Sequence, residues 1–179
     1  MAMNLSSITL RPFKLSDVDD FMLVAGDDRV NCYTRRDTFV SREQALTFIR
    51  DVCMPHPWTR SISVEDKTIG YVSVTVGSDE AKCRAEIGYA IAAKYWGQGF
   101  GTKALKMAVS QVFKDFPHLV RIEAFVVPQN KASQRVLEKV GFLKEGVLRK
   151  YAYVKGSVKD VVVFSLVLED THLQTKLEI

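Results

Sequence analysis

The stretch that most restricts what this chain can fold into is Tyr95-Trp96-Gly97-Gln98-Gly99-Phe100-Gly101-Thr102. An apolar extended run, Tyr89-Ala90-Ile91-Ala92-Ala93, leads into it, and a long helical pattern follows. Glycine at alternate positions removes Cβ from three points of the turn, so successive backbone N–H groups can converge on one concavity. The helix adds roughly half a positive charge at its N-terminus, where the first N–H groups have no partner within the helix. Such a concavity suits an anion, and the expectation is a phosphate-bearing ligand. A turn of this composition also serves tight chain reversal with no ligand. Two phosphate patterns are excluded by spacing. A P-loop closes its glycine run with Lys-Ser or Lys-Thr, whereas Thr102-Lys103 stands in the reverse order. A dinucleotide fingerprint needs two residues between its second and third glycines, near the start of a βαβ unit. Only Phe100 separates Gly99 from Gly101, and about ninety residues precede the turn.

A chain of 179 residues can bury one sizeable core, and a single domain over residues 1–179 is the expectation, with its core from about 8 to 168 and a short tail beyond. Net charge is +4, from 25 basic and 21 acidic residues that are scattered rather than striped. That balance attracts a small anion without describing a nucleic-acid surface. Cys32, Cys53 and Cys83 are odd in number and far apart, which argues against a disulfide framework or a zinc site, and His56 near Cys53 has no second pair to complete one. No metal is expected. Without a signal run or an 18-residue apolar stretch, the expected home is the cytoplasm, with no membrane partner.

Periodicity predicts a mixed α+β chain. Ile8-Thr9-Leu10-Arg11 reads as a strand stopped by Pro12. Ser16 is placed to cap a helix with Val18, Phe21, Met22 and Ala25 on its apolar face, closed by Gly26-Asp27-Asp28. Residues 30–40 are mixed and polar. Ser41 caps a second helix carrying Ala45, Phe48, Ile49 and Val52, which Pro55 and Pro57 stop. Residues 60–64 and 69–76 read as an antiparallel pair turning at Asp66-Lys67. Arg84 to Ile91 is a further strand, and Gly88 within it suggests a bulge or the close approach of another backbone. The long helix presents Phe100, Ala104, Leu105, Ala108, Val109, Val112 and Phe116 to the sheet and ends at Pro117. Arg121 to Val127 is the next strand, a parallel neighbour of the previous one through a right-handed crossover. Asn130 caps a short helix with Ala132, Val136, Leu137 and Val140, closed by Gly141. Tyr151 to Val154 and Val161 to Leu168 form a hairpin across Lys155-Gly156-Ser157, and the second arm is apolar enough to be central.

In this order the elements make a mixed, mostly antiparallel sheet flanked by helices. With Gln98-Gly99-Phe100-Gly101 heading the long helix and Val127-Pro128-Gln129-Asn130-Lys131-Ala132-Ser133 heading the next, the chain resembles the GNAT superfamily of acetyl-CoA-dependent N-acetyltransferases. It most resembles the RimJ/RimL branch, through Leu10-Arg11-Pro12-Phe13, Ile87-Gly88-Tyr89, Tyr95-Trp96-Gly97-Gln98-Gly99, Asn130 with Ser133, Gly141-Phe142, Glu145-Gly146 with Arg149, and Asp160. The resemblance implies splayed central parallel strands and acetyl-CoA as cosubstrate. Its pyrophosphate would lie on the N–H groups of Trp96, Gly97, Gln98, Gly99, Phe100 and Gly101, with Thr102 in the helix's first turn. Its pantetheine would pair with Tyr89, Ala90 and Ile91 as an added strand does. An N–H of Ile91 or Tyr89 would face the oxyanion, and Asn130 would face the coenzyme arm. Members of the superfamily usually carry Gln or Arg where this chain has Trp96, so the N–H cradle carries over and the side-chain contact does not.

Acetyl transfer to an amine needs a neutral nucleophile, a stabilised oxyanion and a proton for the thiolate. Glu86 is the best-placed base and Glu123 the second; the plain reading of both is a solvated strand carboxylate. Many members protonate the thiolate from a tyrosine seven residues beyond the asparagine, where this chain has Leu137. The RimL-like solution is Ser133, whose plain reading is an early helix residue bonded to its own backbone. No cysteine adjoins the turn, so attack is expected to be direct, in a ternary complex. The branch implies the α-amine of a protein N-terminus as acceptor, with a ribosomal protein as one candidate. A polyamine or aminoglycoside is the alternative, and would want an acidic mouth that no acidic run supplies. A non-catalytic acyl-CoA sensor and a nucleotide-binding regulatory domain are the other classes. Tyr151 and Tyr153 could flank the acceptor, Arg149-Lys150 is expected to pair with solvent or Glu145, and the chain is expected to be a monomer or homodimer.

Overall fold

The computed structural model describes residues 5–170. These group into two compact units, residues 5–73 with 89–104 and residues 74–88 with 105–170. In the first, β1 (Ile8–Arg11) pairs antiparallel with β2 (Thr59–Val64), and β2 with β3 (Lys67–Val76). The β2–β3 turn is centred on Glu65 and Asp66, at φ of 52° and 62°, not on Asp66-Lys67. Two positive φ values give the primed turn that matches strand twist. Arg11 fixes this turn to the chain's start: its guanidinium donates to both oxygens of Asp17 at 2.8 Å and to the Asp66 carbonyl at 2.9 Å. Burial alone would push the Asp17 carboxyl up. Hydrogen bonds from Arg11 and the Lys14 amide overcome that and leave it below its ordinary value.

The Lys14 amide also explains why Ser16 is not a helix cap. The Asp17 carboxylate accepts from that amide at 2.8 Å, closing a 3-10 turn over Leu15–Asp17 ahead of α1 (Val18–Ala25). The polar segment hides a four-residue helix, α2 (Asp28–Asn31), capped by Asp27. Asn31 is buried and donates to the carbonyls of Val24, Ala25 and Asp27 at 2.9, 3.0 and 2.9 Å, which ties α2 to the end of α1. The cap of α3 (Arg42–Phe48) is as expected: Ser41 accepts from the Gln44 amide at 3.3 Å and Gln44 Oε1 takes the Ser41 amide in return. The helix runs on as a π-turn over Ile49–Cys53. Phe21 is fully buried and stacks on Phe48 at 5.9 Å, with Phe13 and Tyr71 edge-on to it.

β4 (Arg84–Ile91) has residues 84–88 in the second unit, and there it meets β5 (Arg121–Val126) in a parallel ladder of three pairs, Arg84–Arg121, Ala85–Ile122 and Glu86–Glu123. β7 (Ser157–Val167) pairs antiparallel with β5 on one side and β6 (Leu143–Val154) on the other. The sheet order is β1-β2-β3-β4-β5-β7-β6, so the apolar last strand is central, as its composition predicts. β6 begins well before Tyr151, at Leu143; it is an edge strand, exposed through most of its length, and burial imposes no alternation on it. α4 (Phe100–Asp115) buries Phe100, Ala104, Leu105, Ala108, Val109, Val112 and Phe113. Phe116 lies past its end, half-buried. α5 (Lys131–Val140) is capped by Asn130 and closed by Gly141 at φ of 114°, with the Phe142 amide reaching back to the Leu137 carbonyl at 3.0 Å.

The close backbone approach expected at Gly88 occurs at Gly70. A Cβ on Gly70 would lie 2.3 Å from the Ala90 carbonyl oxygen, whereas one on Gly88 would meet no heavy atom within 4 Å among the described residues. No helix among the described residues is long and apolar enough to cross a membrane.

Candidate active site

The glycine turn is built by short local bonds. A 3-10 turn over Ala93–Tyr95 follows β4, with the Tyr95 amide on the Ala92 carbonyl at 2.9 Å and the Trp96 amide on the Ala93 carbonyl at 3.1 Å. The Trp96 amide therefore already has one acceptor, and the turn's glycines follow it from Gly97. Gly97 and Gly99 stand at φ of 75° and 85°, in the left-handed region that only glycine enters without strain. The first bond of α4 in the turn runs from the Lys103 amide to the Gly99 carbonyl at 3.1 Å, so helix geometry leaves the amides of Phe100, Gly101 and Thr102 ahead of it. Gly97, Gln98 and Gly99 are exposed, and among the described residues a Cβ at Gly97 would meet nothing within 4 Å. An anion seated here would meet amide hydrogens and not side chains, which fits a diphosphate. The Gln98 side chain turns away, donating to the Lys94 carbonyl at 2.9 Å.

At the strand end before the turn, Ala90 and Ile91 are buried and Tyr89 is half-buried. The Trp96 indole Nε1 donates to the Ile91 carbonyl at 2.7 Å. Sequence reasoning treated Trp96 as a departure from a family pattern and missed this bond.

In the second unit, Glu86 is exposed and stands in register with Glu123 on the parallel neighbour, so both side chains leave the same face of the sheet. Glu123 is buried and accepts from Arg84 at 2.5 Å and from Arg121 Nε at 3.1 Å, which makes it an ion-pair carboxylate and not a base in waiting. Arg121 also forks onto both oxygens of Glu145 at 2.6 Å, and Ser165 Oγ donates to Glu145 Oε1 at 2.7 Å. The Arg121 hydrogen bond, then the Ser165 one, hold the Glu145 carboxyl down at about 2. Arg121, not Arg149 or Lys150, is therefore the partner of Glu145. The Lys150 amide instead donates to Asp160 Oδ1 at 2.7 Å.

Above this network a cavity of about 360 Å³ opens on the same face, floored by Arg84, Glu123 and Glu145 and walled by Phe125, Tyr151, Val147, Leu148 and Val163. Phe125 and Tyr151 stack at 5.5 Å with 16° between their planes, so Tyr151 does flank a recess.

Ser133 is half-buried in the first turn of α5, its amide on Asn130 Oδ1 at 3.1 Å. Capping uses the Asn130 oxygen and not its amide nitrogen. Leu137 is fully buried, a core residue where a catalytic tyrosine would need to face out. Burial pushes the Cys53 thiol up to about 12, which leaves it inert as a nucleophile. Among the described residues no group of three or more His, Cys, Asp or Glu could hold a metal ion.

Residues 7–143 match the family model of the acetyltransferase (GNAT) domain. The chain is similar to uncharacterized N-acetyltransferase p20 of Bacillus licheniformis, 35% identical over 165 residues that cover 89% of this chain and 92% of that protein. It is also similar to the ribosomal protein uS5-alanine N-acetyltransferase of Escherichia coli, 34% identical over 84 residues, 47% of this chain and 43% of that protein. Among solved structures, Mycobacterium smegmatis RimJ in complex with CoA-disulfide aligns with a TM-score of 0.80 at 25% identity, over 92% of this chain and 84% of that one. The sheet order, the parallel central pair and the glycine turn at the head of α4 agree with these similarities, and the chain belongs to the GNAT family of acetyltransferases.

Proposed function

We propose that this acetyltransferase moves the acetyl group of acetyl-CoA onto the α-amine of a protein or peptide N-terminus, by direct attack in a ternary complex. The observation that carries the coenzyme reading is the turn: two left-handed glycines ahead of a helix whose first amides have no partner within it. The amides from Gly97 to Thr102 hold the diphosphate, the end of β4 at Tyr89, Ala90 and Ile91 receives the pantetheine arm, and Asn130 receives it from α5. When bound, the thioester supplies the acyl group and a departing thiolate. Glu86, exposed on its strand, takes the ammonium proton directly or through water. An amide of Ile91 or Tyr89 meets the oxyanion, and as the C–S bond breaks Ser133 Oγ relays to the thiolate the second proton, which the attacking nitrogen sheds on becoming an amide.

Two observations favour a peptide over a polycation. The cavity over Arg84, Glu123 and Glu145 is walled by rings and aliphatic side chains, and both carboxylates in its floor are already neutralised by Arg84 and Arg121. The carboxylates that line the cavity offer a polyamine no spare charge. The similarity to the uS5-alanine enzyme points the same way.

Thiol release from acetyl-CoA, measured against N-terminal peptides, polyamines and aminoglycosides, tests the proposal. Peptides should support turnover and polycations should not; turnover with a polyamine alone overturns the acceptor. Glu86→Ala and Ser133→Ala should each lower kcat about 100-fold or more. Full activity in both variants removes their roles, and a wild-type chain that binds CoA but turns over no acceptor is a sensor.

A further inference from the structure

One peptide unit at the end of β4 is tied at both of its polar atoms. The Ala92 amide donates to the Ile69 carbonyl at 2.9 Å, and the Ile91 carbonyl of the same unit accepts from the Trp96 indole at 2.7 Å. The first bond fastens the strand end to β3, where Gly70 admits the Ala90 backbone closer than any Cβ would. The second fastens it to the residue that opens the glycine turn. Trp96 thus directs both of its N–H groups at carbonyls of its own chain, yet the residue is 48% exposed. A tryptophan serving the core alone looks different: Trp58 is 1% exposed. The glycines already permit the turn, so the indole bond adds something the backbone does not need for turning.

We propose that Trp96 is a positioning residue for coenzyme binding: its indole sets the strand end and the amide turn at a fixed separation and orientation, so that a ligand with two parts meets both at once. This deepens the coenzyme reading given above and rests on it. A ligand that spans strand end and turn benefits from their being aligned beforehand. One that uses the turn alone does not, because the amides there are held by the glycine conformation and by α4.

Trp96→Phe keeps a ring and removes the N–H. Calorimetry with CoA and with ADP, on wild type and variant, separates the two kinds of ligand. CoA affinity should fall about five- to ten-fold, the size of one lost hydrogen bond, with ADP affinity unchanged and Tm lower by only about 2–4 °C. Equal loss for both ligands, or unchanged CoA affinity, overturns the inference. Wild type binding neither ligand sinks the coenzyme reading instead. A second measurement does not depend on the variant: the chain has two tryptophans, so Trp58→Phe leaves Trp96 as the sole indole. Its emission should change on adding CoA; a constant signal with CoA overturns the proposal.

Discussion

The Arg36 guanidinium lies 4.7 Å from the ring centroid of Phe48, 5.0 Å from Phe39, 5.4 Å from Tyr71 and 5.7 Å from Phe21. These rings come from α3, the loop before it, β3 and α1, so one cation draws four segments together. Arg36→Met keeps most of the side-chain volume and loses the charge. Stability should fall by about 1–2 kcal/mol, read as a lower urea midpoint, and an unmoved midpoint would show that the rings pack without the cation. Gly99→Ala tests a different cost. Its Cβ would make only an ordinary contact with Leu5 at 3.6 Å, so what it meets is the φ of 85°. That conformation costs about 1–2 kcal/mol outside glycine, and calorimetry should show CoA binding weakened about ten-fold. The need for glycine here was legible in the sequence, because alternate glycines before a helix have few other uses. The Trp96 bond was not: a side chain reaching a carbonyl five residues back leaves no periodic trace.

β6 carries a register break in which its ladder to β7 passes from Leu148–Val161 to Ala152–Lys159. Inside the break Lys150 stands at φ of 50°, its amide held by Asp160 at 2.7 Å, and the next residue, Tyr151, is delivered onto Phe125. Bulges re-aim side chains in this way. Lys150→Gly should be neutral or stabilising by up to about 1 kcal/mol, because glycine is at ease at positive φ. Asp160→Ala should cost about 1 kcal/mol and raise the acceptor KM while CoA affinity stays constant; a change in CoA affinity alone would place Asp160 elsewhere in the mechanism. Elements were legible where their ends are decided by local chemistry, as with Ser41, Asn130 and Gly141. They were not where tertiary context decides. The exposed start of β6 has no pattern to read, α2 is too short for periodicity, and Glu65 and Asp66 take positive φ without a glycine to announce it. Gly70 and Gly88 are indistinguishable in sequence; only the pairing of β3 with its surroundings tells which one needs to lack a Cβ.

Across the molecule, acid sensitivity should concentrate in the chain of ion pairs that joins β4, β5 and β6, to which β7 adds the Ser165 hydroxyl. Glu145 in the folded state titrates at about 2, below its ordinary 4.5, so between those values the unfolded chain binds more protons. The stability it contributes is therefore complete above 4.5 and is lost as the pH falls toward 2. Thermal melts of wild type and Glu145→Gln should differ at neutral pH and converge on acidification, and parallel curves would mean that the Arg121 pairing contributes nothing. The network also pairs both carboxylates in the floor of the recess, a feature no single residue shows and one that sequence could not display, since its members are spread from Arg84 to Ser165.

The outermost strand has a further consequence. A long, regular sheet margin invites a second polypeptide to add itself as the next strand. β6 offers that margin broken twice, between Lys144 and Gly146 and again between Leu148 and Ala152, with Lys144, Arg149 and Lys150 exposed along it. The contortion that aims Tyr151 also spoils the template, so shaping a recess and refusing fibrous growth are served by the same few residues.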